Sequence, residues 1–192
     1  MGSNRFTRGG DTMARLPFEL HPRTVALIAV LSAVTAVLTL AVRIPFAPTR
    51  GYFTLADVGV YFAAFAFGPA MGFITGGLGT GLADVLGGYA HFAVWSFLIH
   101  GFQGLVAGVL GWRRGPLGMA LGWLAGLVVM VGGYFIVEYF LYGFGPALAE
   151  ALTINLPQVA IGGIVGVLLV QAVQRAYPPI TLLAQPRRWR EG

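Results

Sequence analysis

Tyr134, Glu138 and Tyr142 stand four residues apart, the spacing that stacks side chains along one face of a helix. His100 and Gln103 are three apart, as are Asn155 and Gln158, so each pair also shares a helical face. All of them fall inside long apolar runs. A polar group in hydrocarbon costs several kcal/mol when unpaired, roughly 2–4 for a charge. Three helices therefore each present a polar stripe with aromatic neighbours. Aromatic walls with a few polar groups that fix orientation are the make-up of a small-molecule pocket. Asp84, Tyr89, Trp95 and the loop residue Arg43 join these side chains as the candidate substrate-binding set.

The chemistry such a set supports is binding. No GxxxxGK[ST] is present for ATP, no HExxH for zinc, and no GxS nucleophile motif; the only serines are Ser3, Ser32 and Ser96. Three histidines at 21, 91 and 100 make a poor metal site, and the absence of cysteine removes thiolate chemistry. The chain reads as a non-enzyme with no metal and no cofactor.

Each candidate also has a purely structural reading. Glu138 can be a carboxyl bonded to a neighbouring helix, or a ligand contact, the commoner role of an intramembrane acid. Asn155 and Gln158 can satisfy the carbonyl released by Pro157. His100 can be a packed imidazole bridging helices. Thr54 and Asp57 can cap the helix they begin, and Asp84 can cap an outer turn or shape the site. Tyr89, Trp95 and Tyr142 can belong to an aromatic belt, and Arg43 and Arg50 can meet lipid headgroups.

Composition sets the frame that must position these residues. The 192-residue chain is 57% hydrophobic and 10% charged, with a mean hydropathy of +0.77. Soluble domains carry about 25% charged residues. The expectation is one all-α integral membrane domain of six transmembrane helices at 24–176. It is flanked by an N-terminal segment, 1–23, and a basic tail, 177–192. The first twelve residues, before the start-like Met13, read as either a native tail or an added remnant, and are set apart from the fold.

Prolines and glycines mark the helix ends. Helix 1 is expected over Thr24–Val42, between Pro22 and Pro45. Helix 2 runs over Thr54–Phe67 and ends at Gly68-Pro69. Helix 3, Ala70–Leu86, contains Gly72-x3-Gly76, a close-packing motif in an apolar helix. Helix 4 is His91–Gly111, helix 5 Leu117–Leu141, and helix 6 Ala147–Val173 with Pro157 inside it. On helix 1, Ala26, Ala29, Ala33 and Ala36 form a smooth strip. It packs either against the chain's own helices or against a partner protein.

All twelve basic residues are arginine. Six helices place Arg5, Arg8, Arg15, Arg23, Arg113, Arg114, Arg175, Arg187, Arg188 and Arg190 on one side, and only Arg43 and Arg50 on the other. Ten against two is a positive-inside signal that puts both termini in the cytoplasm, as expected of a multi-pass protein of the cell inner (plasma) membrane. It also fits membrane topology better than nucleic-acid binding. On that topology the polar stripes cluster toward the outer face, as for an outward-facing cavity.

The stretch from Phe53 to Gly108 carries a short helix ending Phe-Gly-Pro, a glycine-rich helix ending Ala-Asp-Val-Leu-Gly-Gly-Tyr, and the segment Ile-His-Gly-Phe-Gln-Gly-Leu-Val-Ala-Gly. In these features the chain resembles the substrate-binding S components of energy-coupling factor (ECF) vitamin transporters, over about 24–173. The resemblance implies a compact six-helix bundle with an outward-open pocket covered by the loop after helix 1. It also implies high-affinity binding of a water-soluble vitamin or precursor. A transmembrane coupling subunit and two ATPases would drive release, the subunit docking on the helix 1 strip at Ala29 and Ala33. Glu138 favours a ligand with an amino group or positive charge, of the thiamine, aminopyrimidine or pyridoxine type. Arg43 and Arg50 would favour a carboxylate or phosphate instead. The alternative is a stand-alone proton-coupled carrier using Glu138 and His100.

Overall fold

The computed structural model describes residues 22–183. Helix α1, Pro22–Ala41, leads into a hairpin of β1, Ile44–Phe46, and β2, Gly51–Phe53. Then follow α2, Ala56–Phe67; α3, Pro69–Gly87; α4, Ala93–Gly111; and α5, Gly115–Tyr142. The last span is one apolar segment, Phe144–Ala176. It divides into α6, Phe144–Glu150, a π-helical turn, Ala151–Asn155, and α7, Leu156–Ala176. A 3-10 turn at Pro178–Leu182 closes the described chain. The six expected helices are thus all present, within a few residues of their expected ends.

Four of them, Pro22–Ala41, Ala93–Gly111, Gly115–Tyr142 and Phe144–Ala176, are long and apolar enough to cross a bilayer. Their outer faces carry Val30, Val37, Leu117, Val128, Phe140 and Leu168, all exposed. In water that surface would be a liability; in lipid it is solvated. Helix α2 is different. At 12 residues it is only about 18 Å long, and every residue in it except Phe62 is buried. It is the axis of the bundle, with Tyr61, Phe65 and Phe67 at the centre of the core.

Glycine lets the helices close on one another. Gly72 of α3 and Gly104 of α4 meet backbone to backbone, and a Cβ on Gly104 would overlap the Gly72 carbonyl. Gly79 makes room for Thr35 of α1, and Gly162 of α7 for Asp57 of α2. Such faces let neighbouring helices pack by van der Waals contact where no hydrophobic drive acts between them.

Three details differ from the expectation. The loop after α1 contains an antiparallel hairpin pairing Ile44 with Phe53 and Phe46 with Gly51. Arg50 turns it with a left-handed backbone, φ 57°. Pro157 does not simply kink the last span. A π turn precedes it, and Pro157 stands in the first turn of α7. The alanine strip is not one face: Ala26, Ala29 and Ala33 point outward, while Ala36 is buried.

An even number of spans returns the chain to the end where it began. Arg23, Arg113, Arg114 and Arg175 lie toward that end, and Arg43 and Arg50 toward the hairpin end. Arg5, Arg8, Arg15, Arg187, Arg188 and Arg190 lie outside the described residues, as do most of the two flanking segments.

Because the Gly104 contact is with backbone that cannot move aside, Gly104→Ala should cost about 1–3 kcal/mol or more. Gly132 of α5 has open space around it. Gly132→Ala should be neutral or stabilise by up to about 1 kcal/mol through helix propensity. Thermal unfolding in detergent compares the two.

Candidate functional site

At the hairpin end of the bundle lies a small cavity of about 40 Å³. Six residues read from the sequence line it: Asp84, His100, Tyr134, Glu138, Asn155 and Gln158. They come from α3, α4, α5, the π turn and α7, so no single element carries the site.

One wall is acidic. Glu138 is 1% exposed, and neither of its carboxyl oxygens has a hydrogen-bond partner among the described residues. Oε2 of Glu150 and Nδ2 of Asn155, both buried in the same wall, are unpartnered too. The π turn explains the grouping. Five residues of α-helix overshoot a full turn, whereas i→i+5 bonding widens the turn and brings Glu150 and Asn155 toward one face. Gly51 of the hairpin sits directly on the Glu150 carboxyl, and a Cβ there would collide with it.

The opposite wall is built around Asp84. The Tyr52 hydroxyl donates to Oδ1 of Asp84, while Oδ2 is buried and unpartnered. Tyr52 packs on Tyr89 with ring centroids 4.4 Å apart. Asp84 therefore does not cap a turn with its side chain. Gly88, left-handed at φ 86°, ends α3 instead. Burial, then the negative charge of Asp84, push the Tyr52 phenol well above its ordinary range.

Between the walls, Ser96 and Tyr134 share a hydrogen bond of 2.6 Å, and the Tyr134 and His100 rings lie 5.7 Å apart. Beneath them is a fully buried carboxylate, Asp57. Oδ1 accepts from Gln103 Nε2 at 2.5 Å and Oδ2 from Gln158 Nε2 at 2.7 Å. Gln103 Oε1 faces His100 Nδ1 at 2.8 Å, and Gln158 Oε1 accepts from the Thr54 amide at 2.7 Å. Asp57 does not cap α2. Leu55 stands at its N-cap with no side-chain cap, and the Thr54 hydroxyl accepts from the Ala56 amide at 3.1 Å. Nor is Gln158 spent on a carbonyl released by Pro157, since both ends of its amide are engaged here.

Four sequence candidates lie off the cavity wall. Arg43 is exposed and donates to the Gly87 carbonyl at 2.9 Å. Tyr89 backs Tyr52 from outside. Trp95 is 42% exposed: with Ser96 and His100 facing inward on α4, its neighbour must face lipid. Tyr142 reaches only the edge of Phe92, centroids 6.5 Å apart. Two four-residue steps from Tyr134 rotate it by about 80°.

The structure adds Thr39, Tyr52, Thr54, Thr80, Phe92, Ser96, Met130 and Glu150 to the lining. Glu150 had the same signal as Glu138, an acid within an apolar run. Tyr52 had none, because a three-residue strand has no periodicity to read. Among the described residues, no cluster of His, Cys, Asp and Glu could hold a metal ion.

The comparisons with known proteins point one way. A family model described as "ECF-type riboflavin transporter, S component" matches residues 19–175. A protein of Lactococcus lactis subsp. cremoris named thiamine precursor transporter HmpT is 36% identical over 154 residues, covering 80% of this chain and 89% of that one. A protein of Pyrococcus woesei, described as an uncharacterized protein in the gap 3' region, is 38% identical over 145 residues, 75% of this chain and 97% of its own. The solved structure of the S component of a bacterial ECF transporter superposes with a TM-score of 0.65 at 24% identity, covering 81% of this chain and 97% of that one. FolT bound with folic acid follows at 0.51 and 20%, covering 75% and 91%. At these identities the structural likeness is one of fold.

A raised Tyr52 pKa keeps the hydroxyl as the donor to Asp84. The stability it contributes is complete below the ordinary phenol value of about 10 and is lost only as pH rises through the raised one. Tyr52→Phe should therefore leave the tyrosine absorbance titration between about pH 9 and 11 unchanged. A decrease in that range would mean that Tyr52 ionises as an exposed phenol does.

Proposed function

The chain belongs to the S-component family of ECF transporters, and on that premise we propose that it binds an amine-bearing vitamin precursor of the aminopyrimidine type for uptake. The observation that carries this reading is the buried acidic wall, where Glu138 and Glu150 lie beside Asn155 with unpartnered oxygens. Buried carboxyls are costly unless they are paired or hydrogen-bonded. A planar ligand with N–H donors, or one carrying positive charge, offsets that cost where an anion would add to it. No arginine or lysine lines the cavity among the described residues, and Arg43 is engaged at Gly87. The relative named for a thiamine precursor supports the same class. A pyridoxine-type ligand, also rich in donors, is the second choice within it.

The chain has no nucleotide-binding motif of the P-loop kind, so the energy for uptake comes from elsewhere. In this reading a coupling subunit with two ATPases supplies it, docking where Ala29 and Ala33 face outward from α1. The termini lie in the cytoplasm, the cavity opens outward across the inner membrane, and the flanking segments 1–23 and 177–192 are cytoplasmic. The subunit itself binds and is not an enzyme.

Thermal unfolding in detergent against a panel of vitamins and precursors tests the reading. A ligand at about 100 times its dissociation constant stabilises by roughly 2.7 kcal/mol. One aminopyrimidine or related cation should give a shift of that size, abolished in Glu138→Gln and strongly reduced in Asn155→Ala. No shift across the panel, together with uptake by the isolated protein in liposomes that collapses with the proton gradient, would overturn it in favour of a proton-coupled carrier.

A further inference from the structure

Asp57 does not line the cavity, yet it determines what the cavity offers. A carboxylate only accepts hydrogen bonds, so both amides that meet it must present NH2 groups. Gln103 and Gln158 do so, at 2.5 and 2.7 Å. Their carbonyl oxygens then point away, and that of Gln103 faces His100 Nδ1 at 2.8 Å. An amide oxygen cannot donate, so Nδ1 must carry the proton. The neutral ring is left with its lone pair on Nε2, the nitrogen available to the cavity that the ring lines. Asp57, Gln103 and His100 are all at most 3% exposed, so water does not compete for these orientations.

We propose that Asp57 is a positioning residue: acting through Gln103, it holds His100 in the Nδ1–H tautomer so that Nε2 faces the substrate as a hydrogen-bond acceptor. The groups around the cavity then share one polarity. Asp84 Oδ2, the Glu138 oxygens and Glu150 Oε2 are buried without partners, and they accept when ionised. Asn155 Nδ2 is the only unpartnered nitrogen donor among the described lining residues. His100 extends the acceptor surface from the acidic wall across the middle of the site. The matching substrate bears N–H or O–H donors on more than one edge and carries no anionic group. This substrate class rests on the binding reading above, whereas the tautomer does not.

The titratable groups facing His100 are Asp57 beneath it, with Oδ1 3.9 Å from Nδ1, Tyr134 of α5 against its ring, and Asp84 across the cavity. The test must tell the neutral tautomer from the imidazolium.

Nitrogen-15 NMR of the histidine-labelled protein in detergent does so without any ligand. The chain has three histidines. A His21→Gln/His91→Gln variant leaves His100 as the single labelled histidine. At neutral pH its Nε2 should show the shift of an unprotonated nitrogen and its Nδ1 that of a protonated one. Gln103→Met removes the relay and should move the ring toward the Nε2–H form that free imidazole prefers. Asp57→Asn, which keeps the shape and turns one amide round, is a second route to the same change. Protonated Nε2 in the parent would overturn the proposal. So would an unprotonated Nε2 that persists in both Gln103→Met and Asp57→Asn. Any vitamin that stabilises the parent should bind at least about tenfold more weakly to Gln103→Met, and unchanged affinity would remove the specificity role. If nothing on the panel binds, the substrate reading fails while the NMR result still decides the tautomer.

Discussion

A carboxylate enclosed at the centre of a membrane bundle must be answered by donors, and Asp57 is where that requirement falls. Its two oxygens draw one glutamine from α4 and one from α7 onto the start of α2. The second glutamine goes on to hold the Thr54 amide, where the hairpin joins α2. Three parts of the chain, far apart in sequence, are thus registered by one side chain. Apolar packing alone would let these helices slide along their smooth faces. Breaking one arm leaves a charge short of a partner, which is the costly outcome, so the network specifies one arrangement.

That registration works because α2 is reachable from all sides. Its neighbours approach at Gly59, which meets Thr35 of α1, and through Gly162 of α7, and α3 meets α4 through Gly72 and Gly104, so each helix can pass at backbone distance. A short central helix would be a poor membrane span by itself. Wrapped by longer ones, it needs no lipid contact and places its N-terminus just below the cavity floor. The outer helices carry the bulky aliphatic residues into lipid and keep small ones inside. The pattern is that of a protein whose solvent is hydrocarbon.

Much of this was legible in the sequence. Pro and Gly punctuation located all six helices, because those residues act on the backbone whatever surrounds them. The stripes at His100/Gln103, Tyr134/Glu138 and Asn155/Gln158 were visible because helical spacing is nearly constant. What escaped depended on departures from that regularity. Glu150 joins the acidic wall through a π turn, which no α-helical count anticipates. Tyr52 reaches Asp84 by way of a hairpin fold-back. Trp95 and Tyr142 share stretches with inward-facing residues, yet a single residue of offset, or the drift of two turns, carries them off the wall. Asp57 beside Thr54 at a helix start looks like any capping pair. Only the approach of two distant glutamines distinguishes a cap from a hub.

The hairpin touches both walls: through Tyr52 it bonds Asp84, and through Gly51 it rests on Glu150. It spans only Ile44 to Phe53 and is paired along its length, so it moves as one piece. Neither contact can then open far without straining the other. The two walls, carried on helices far apart in sequence, are consequently coupled through the strap, and a substitution that displaces it at one is felt at the other.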